Sequence, residues 1–252
     1  AALKGIDFIL KAQYENGGWP QFWPDVSGYH SQITLNDDVL TGLLFFLRET
    51  QANTKVYGFL SEEMNNAIRN ALRNAERLIL RLQIVVNGKR TVWAGQYDHE
   101  SLEPATARAY ELPCLISAES VNVVRYLMQI ENPAPEIIDA ISSAVAWYEK
   151  SKIFGIRVET FEIPPVKHGK RTLTSDKRVV EVPDAPPIWA RFYEIDTNRP
   201  FMANRDGGKV YSLAEVEHER RIGYGWYTYA PAKLLEKDYP GWCERLKQGK
   251  TP

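Results

Sequence analysis

The chain has 252 residues, 44% of them hydrophobic and 25% charged, the composition of a globular domain with enough apolar surface for a core. Lysine and arginine number 31 against 32 acidic residues, so the formal net charge of -1 excludes bulk attraction to nucleic acid, a membrane surface or any other polyanion; an acidic ligand needs a local cluster of cations. No run of about 18 apolar residues exists for a bilayer span, and Cys114 and Cys243 are too few to set a disulfide framework or a metal site by spacing.

The first residues carry no basic stretch followed by an apolar run and begin directly in a helical pattern. The expectation is one domain over residues 1–252 that lacks some N-terminal sequence. Leu3, Ile6, Phe8, Ile9 and Leu10 repeat with helical spacing over 3–13, and Asn16-Gly17-Gly18-Trp19-Pro20 ends the helix. After a long loop, Asn36 is the expected N-cap of a second helix, with Val39, Leu40, Leu43, Leu44 and Leu47 as its apolar face. Ser61 opens a third, whose stripe is Ile68, Leu72, Ala75, Leu78, Ile79 and Leu82 and whose first turn carries Glu62 and Glu63.

Residues 84–93 read as a short hairpin around Asn87-Gly88. Ser117 to about Ile130 and Pro135 to about Lys150 are a helix pair with a short connection. A β-leaning stretch at 156–163 leads into a polar, basic insertion to Pro183, with 189–193 as its returning strand. A helix from Ser212 to about Arg221 and a short one near 230–235 follow. Two helix exits repeat in order: Gln13, Asn16-Gly17, Trp19, Gln21, Asp25 and then Gln83, Asn87-Gly88, Trp93, Gln96, Asp98. Helical hairpins with functional loops on one face predict a mainly α fold, an α/α toroid-like helical barrel with short β-hairpins and long loops around an open groove.

Several groups of residues bear chemistry. Asp37 and Asp38 are adjacent carboxylates at a helix start, either first-turn acids held by the helix dipole or oxygen donors to a hard cation such as calcium. Asp98 lies in the corresponding loop of the repeat, as a solvated turn residue, a further donor or a general acid. Arg108 stands among small residues with Tyr110 and Glu111 behind it, as a buried ion pair or as a guanidinium oriented by that carboxylate. Arg191, Arg199 and Arg205 lie among aromatic and turn residues, and planar guanidinium forks suit a repeating uronic acid better than a neutral sugar. Many of the seven tryptophans and thirteen tyrosines, Trp19 among them, sit in polar loops, where they either stack against a ligand or plug the ends of helix pairs.

Five motifs in order, Asn16-Gly17-Gly18-Trp19-Pro20-Gln21, Ile33-Thr34-Leu35-Asn36-Asp37, Ala107-Arg108-Ala109-Tyr110-Glu111, Arg191-Phe192-Tyr193 with Asn198-Arg199-Pro200, and Glu219-Arg220-Arg221-Ile222-Gly223-Tyr224, resemble the family-10 polysaccharide lyases, which are pectate lyases. The resemblance runs from residue 16 to about 227 and implies a single catalytic domain that performs calcium-dependent anti β-elimination on polygalacturonate, giving 4,5-unsaturated products. It implies Arg108 as the base, Asp37 at the substrate and calcium site, and Arg191 and Arg205 on uronate carboxylates; Tyr110, Arg199 and Trp19 are further candidates for substrate binding. Asp38 and Asp98 join Asp37 as expected metal ligands, Asp98 by extrapolation. Asp38 stands where the family pattern has an asparagine, and Lys167-His168-Gly169-Lys170-Arg171 lies where shorter loops are usual. The expected partner is acidic polysaccharide, with no nucleic acid or membrane; the expected state is a secreted or periplasmic monomer. Two other readings are a glycoside hydrolase using paired acids such as Asp37 and Asp98, and a non-catalytic polyuronate-binding protein.

Overall fold

The computed structural model describes residues 2–249. The helices run Ala2–Lys11 (α1), Val39–Ala52 (α2), Thr54–Tyr57 (α3), Glu62–Leu82 (α4), Ser117–Leu127 (α5), Pro135–Lys150 (α6), His218–Gly223 (α7), Ala230–Lys233 (α8) and Tyr239–Lys247 (α9). The strands are Ile33–Thr34 (β1), Val85–Val86 (β2), Lys89–Arg90 (β3), Gln96–Tyr97 (β4), Leu115–Ile116 (β5), Ile156–His168 (β6), Arg171–Glu181 (β7), Trp189–Ala190 (β8), Phe192–Tyr193 (β9), Pro200–Ala203 (β10), Lys209–Val210 (β11) and Tyr227–Thr228 (β12).

α4 follows its sequence closely. The Ser61 hydroxyl accepts the Met64 N–H at 3.2 Å, and every residue of the expected apolar stripe is buried. α6 begins at Pro135, whose missing N–H costs nothing in a first turn. α2 departs from expectation. Its N-cap is Asp38, not Asn36, because Asp37 and Asp38 both take left-handed backbone (φ 56° each), which no helix continues through.

The expected toroid is not what forms. Helix accounts for 44% of the chain and strand for 20%, so the fold is mixed, with only small sheets among the described residues. α2, α4, α6 and α5 pack as a core in which each touches two of the others. α1 lies against α4, and α8 against α5. Apolar periodicity fixes which face of a helix is buried but not which neighbour buries it, and this is where the toroid reading failed. The segment at 156–183 is one long antiparallel hairpin, β6 with β7, and 189–193 pairs elsewhere, β8 with β12 and β9 with β5 and β10. The helix expected from Ser212 is broken into a short 3-10 turn, Leu213–Glu215, and α7. Cys114 is buried, Cys243 is half-buried, and both thiols are free.

A repeat other than the one read in the sequence has a physical basis: Trp-Ala-x-x-Tyr, at 93–97 and 189–193. The indole N–H of Trp93 donates to the Ile79 carbonyl of α4 at 2.8 Å, and that of Trp189 to the Tyr148 carbonyl of α6 at 2.9 Å. Four residues on, the Tyr97 hydroxyl accepts the Ala94 N–H (2.6 Å) and donates to the Leu82 carbonyl (2.7 Å). Tyr193 does the same between Ala190 (3.1 Å) and the Ser151 carbonyl (2.9 Å). Each unit thus satisfies carbonyls at a helix end that burial would otherwise orphan. Trp19 likewise donates to the Ile9 carbonyl of α1 at 2.8 Å. The third position of the unit is Gly95 in one copy and Arg191 in the other.

Candidate active site

The turn that carries the paired aspartates is seated on Gly95. Its carbonyl accepts the N–H groups of Leu35 (2.9 Å) and Asn36 (3.1 Å). A Cβ at position 95 would lie 2.6 Å from Asn36 Oδ1, so the close approach requires glycine there. Beyond Asn36, the two left-handed aspartates each cost about 1–3 kcal/mol of backbone strain, a cost that aspartate bears better than most residues. Asn122 of α5 donates to Asp38 Oδ1 at 2.9 Å and helps hold the turn. Both carboxylates face solvent.

Arg108 comes to Asp37 from a second loop. The Glu111 N–H donates to the Arg108 carbonyl (2.7 Å), and the Ala107 N–H to the Glu111 carbonyl (3.1 Å), closing a tight turn. The Glu111 side chain, 4% exposed, then accepts from the Arg108 N–H (3.2 Å), from Arg108 Nη1 (2.8 Å) and from the Tyr224 hydroxyl (2.9 Å). Arg108 Nη2 donates to Asp37 Oδ2 at 3.0 Å, with the guanidinium 35% and the carboxylate 55% exposed. Partial burial pulls the Arg108 pKa down, but the hydrogen bond to Asp37 and the charge of Glu111 outweigh it, and the net direction is up.

Further arginines stand beside this pair, each backed by a buried carboxylate. Arg191 ion-pairs with Glu119 of α5 and stacks 4.7 Å from the centre of the Tyr224 ring. Burial pushes the Glu119 carboxyl up to about 7 against the pull of Arg191. Glu219 of α7 takes two donors from Arg205 (3.2 and 2.8 Å) and two from Arg220 (2.7 and 2.6 Å), and the bonds to Arg220 and Arg205 hold its carboxyl down at about 2. The Tyr110 ring lies 4.8 Å from the Arg220 guanidinium and edge-on to Tyr224 at 5.3 Å, which ties this second cluster to the first.

The family model for pectic acid lyase matches residues 1–235. This chain belongs to the pectic acid lyase family. Among solved structures it is similar to the family 10 polysaccharide lyase from Cellvibrio cellulosa, with a TM-score of 0.82 and 28% identity over 95% of this chain and 72% of that one. A second match is an aspartate-to-alanine mutant of family 10 polysaccharide lyase from the same organism in complex with trigalacturonic acid, with a TM-score of 0.81 and 28% identity over 94% and 72%. No curated protein matches.

In this lyase the structure gathers Asp37, Asp38, Arg108, Tyr110, Arg191 and Arg205 and leaves three other sequence candidates aside. Trp19 is a buried brace of α1, 2% exposed, and offers no stacking face. Tyr110 is buried as well and supports Arg220. Arg199 caps the far end of the β9–β10 pair, stacked 3.4 Å over Tyr211, while Arg191 and Arg205 flank the other end. Asp98 is spent on its own turn: Oδ1 accepts from the Glu100 N–H, the Ser101 N–H and the Ser101 hydroxyl. β1 and β4 pair antiparallel, Thr34 opposite Gln96 and Ile33 opposite Tyr97, so the chain leaves toward Asp37 at one end and toward Asp98 at the other. The expected trio Asp37, Asp38 and Asp98 therefore does not converge, and among the described residues no cluster of three His, Cys, Asp or Glu side chains forms a metal site. The same divergence removes the Asp37 and Asp98 pair on which a hydrolase would depend.

Glu119, Asn122 and the roles of Arg220 and Tyr224 were missed from sequence. Glu119 did leave a signal. It occupies the buried face of α5 between Ser117 and Val121, where a carboxylate needs a partner.

Proposed function

We propose that this lyase is a calcium-dependent pectate lyase that cleaves polygalacturonate by anti β-elimination to give 4,5-unsaturated oligogalacturonides, with Arg108 as the base. The observation that carries the reading is the half-exposed Arg108 guanidinium, fixed on one edge by buried Glu111 and directed at Asp37 in an open site flanked by Arg191 and Arg205. The trigalacturonic acid complex of the Cellvibrio enzyme supports an acidic polysaccharide as the substrate.

In this reaction neutral Arg108 takes the proton from C5 of the uronate. The C–H electron pair becomes the C4–C5 double bond, the C4–O bond breaks, and the departing oxygen takes a proton from solvent. Arg191 and Arg205 pair with uronate carboxylates and set the sugar ring against Arg108. Bound calcium supplies Lewis-acid neutralisation of the carboxylate next to C5, which makes that proton removable. Asp37 and Asp38 would hold it: their donors are hard carboxylate oxygens, both exposed, and two protein carboxylates leave the remainder of a six- to eight-oxygen shell to substrate and water. Arg108 is held protonated by its neighbours, so its neutral fraction, and the rate, climb into the alkaline range. Such a polymer is extracellular, which is why secretion or export to a periplasm accompanies the proposal.

The test is near-ultraviolet absorbance of the unsaturated product on polygalacturonate at alkaline pH, with calcium and then with excess chelator. Absorbance should grow with calcium, stop with chelator, and vanish in Arg108→Ala. Reducing ends released without absorbance would mean hydrolysis, and calcium-independent growth would remove the metal from the scheme.

A further inference from the structure

The β6–β7 hairpin is the longest strand pair among the described residues, and its β7 strand packs against α7, a supporting helix of the site. Its register runs from Ile156 opposite Glu181 to His168 opposite Arg171, and residues 164–172 are all exposed. Cations lower on the hairpin are engaged in contacts within the protein. Arg157 and Arg178 both reach Glu159, and Lys177 donates to the carbonyls of Ile222 and Tyr224. At the tip, Lys167, Lys170 and Arg171 lie within five residues with no acidic residue between 163 and 175, and none of them forms an ion pair among the described residues. The register sets Lys167 opposite Thr172 on one face of the hairpin and Arg171 opposite His168 on the other, with Lys170 in the turn between them, so the tip is cationic on both faces and has no nearby acid in sequence to balance it.

Below its tip, the hairpin is tied to α7, the helix whose Glu219 holds Arg205. Asp176 on β7 accepts two bonds from Arg221 of α7, at 2.6 and 2.7 Å, and His218 of α7 meets the Ser175 carbonyl at 2.9 Å. The same helix carries Glu219 and Arg220, and Glu219 holds Arg205. From Asp176 to Arg171 is five residues of strand, roughly 17 Å at about 3.4 Å each. We propose that Lys167, Lys170 and Arg171 form a second, distal site for the acidic polysaccharide, binding uronate carboxylates of the chain whose scissile part lies at Arg108. This rests on the polyuronate reading above. A long polymer engages both sites and gains avidity, whereas a short oligomer engages one.

The experiment compares the native lyase with a triple variant, Lys167→Thr, Lys170→Ser and Arg171→Thr, in which threonine preserves strand preference at 167 and 171 and serine suits the turn at 170. Initial rates are measured on polygalacturonate and on trigalacturonate, together with retardation of each protein in gels containing polygalacturonate or DNA. The expected result is a KM for polymer raised about 3- to 10-fold at low salt, with kcat and the trimer KM unchanged, a difference that disappears near 1 M salt, where the Debye length is about 3 Å. An unchanged polymer KM overturns the proposal, as does an equal rise for the trimer, which would place the effect at the active site. Loss of DNA retardation with polygalacturonate retardation intact would also overturn it. If the native protein eliminates neither substrate, the functional reading fails separately, and loss of polygalacturonate retardation in the variant still decides the distal site.

Discussion

Glu111 is the side chain on which the proposed base depends, and replacing it tests whether orientation of Arg108 matters to the reaction. Glu111→Gln keeps the shape but removes the charge and turns one oxygen into a donor. The carboxylate accepts from the Arg108 N–H and Tyr224 as well as from Arg108 Nη1, so the amide must face at least one of these donors with its own N–H. A charge-assisted hydrogen bond lost at a buried position is worth about 1.5–3 kcal/mol, and if that falls on the transition state kcat drops by roughly 10- to 150-fold. The pH profile separates positioning from mere stability. Glu111 raises the Arg108 pKa, so without its charge the alkaline limb of the rate should move to lower pH while the plateau falls. A variant with lower melting temperature but an unmoved limb and unchanged kcat would refute the positioning role.

Tyr97→Phe leaves the Ala94 N–H and the Leu82 carbonyl unpaired in the core, about 1–3 kcal/mol each, so a melting temperature lowered by about 4–24 °C is expected in calorimetry. For Glu219 the folded pKa of about 2 lies below the unfolded value near 4.5, so its stabilisation is full above about pH 4.5 and is lost as pH falls toward 2. Unfolding from pH 6 to pH 2 should therefore show Glu219→Gln losing up to about 3 kcal/mol at neutrality and little at pH 2. Asp38→Asn keeps an oxygen for Asn122 but removes a charge, and titration should show calcium binding weakened by about tenfold, near 1.4 kcal/mol; unchanged affinity would exclude Asp38 as a ligand.

Where local rules act alone, the sequence was legible. The Ser61 cap, the stripe of α4, Pro135 and the turn at Asn87-Gly88 all announce their elements, the last with φ of 50° and 74°. Asp37 and Arg108, 71 residues apart in sequence and joined by one hydrogen bond, were readable only through resemblance, because no spacing rule brings two loops together. The errors have a common cause. Asn36 looks like a cap, Trp19 like a stacking ring and Asp98 like a ligand because polar loop residues are read by type, while their partners, the Gly95 carbonyl, the Ile9 carbonyl and Ser101, are tertiary or follow too closely to notice.

The charge of the site gives the proposed calcium a second role. Arg108, Arg191, Arg205 and Arg220 are matched by Asp37, Asp38, Glu111, Glu119 and Glu219, so with all of them ionised the cluster has one negative charge in excess. Such a cluster does not attract a polyuronate, however many arginines it contains. One divalent cation at Asp37 and Asp38 would reverse the sign and would turn an internally satisfied network into a receptor for carboxylates before any bond is broken. Calcium would then govern KM as well as kcat, and the arginine and glutamate pairs would serve to hold the guanidinium groups in place, with the net attraction coming from the ion.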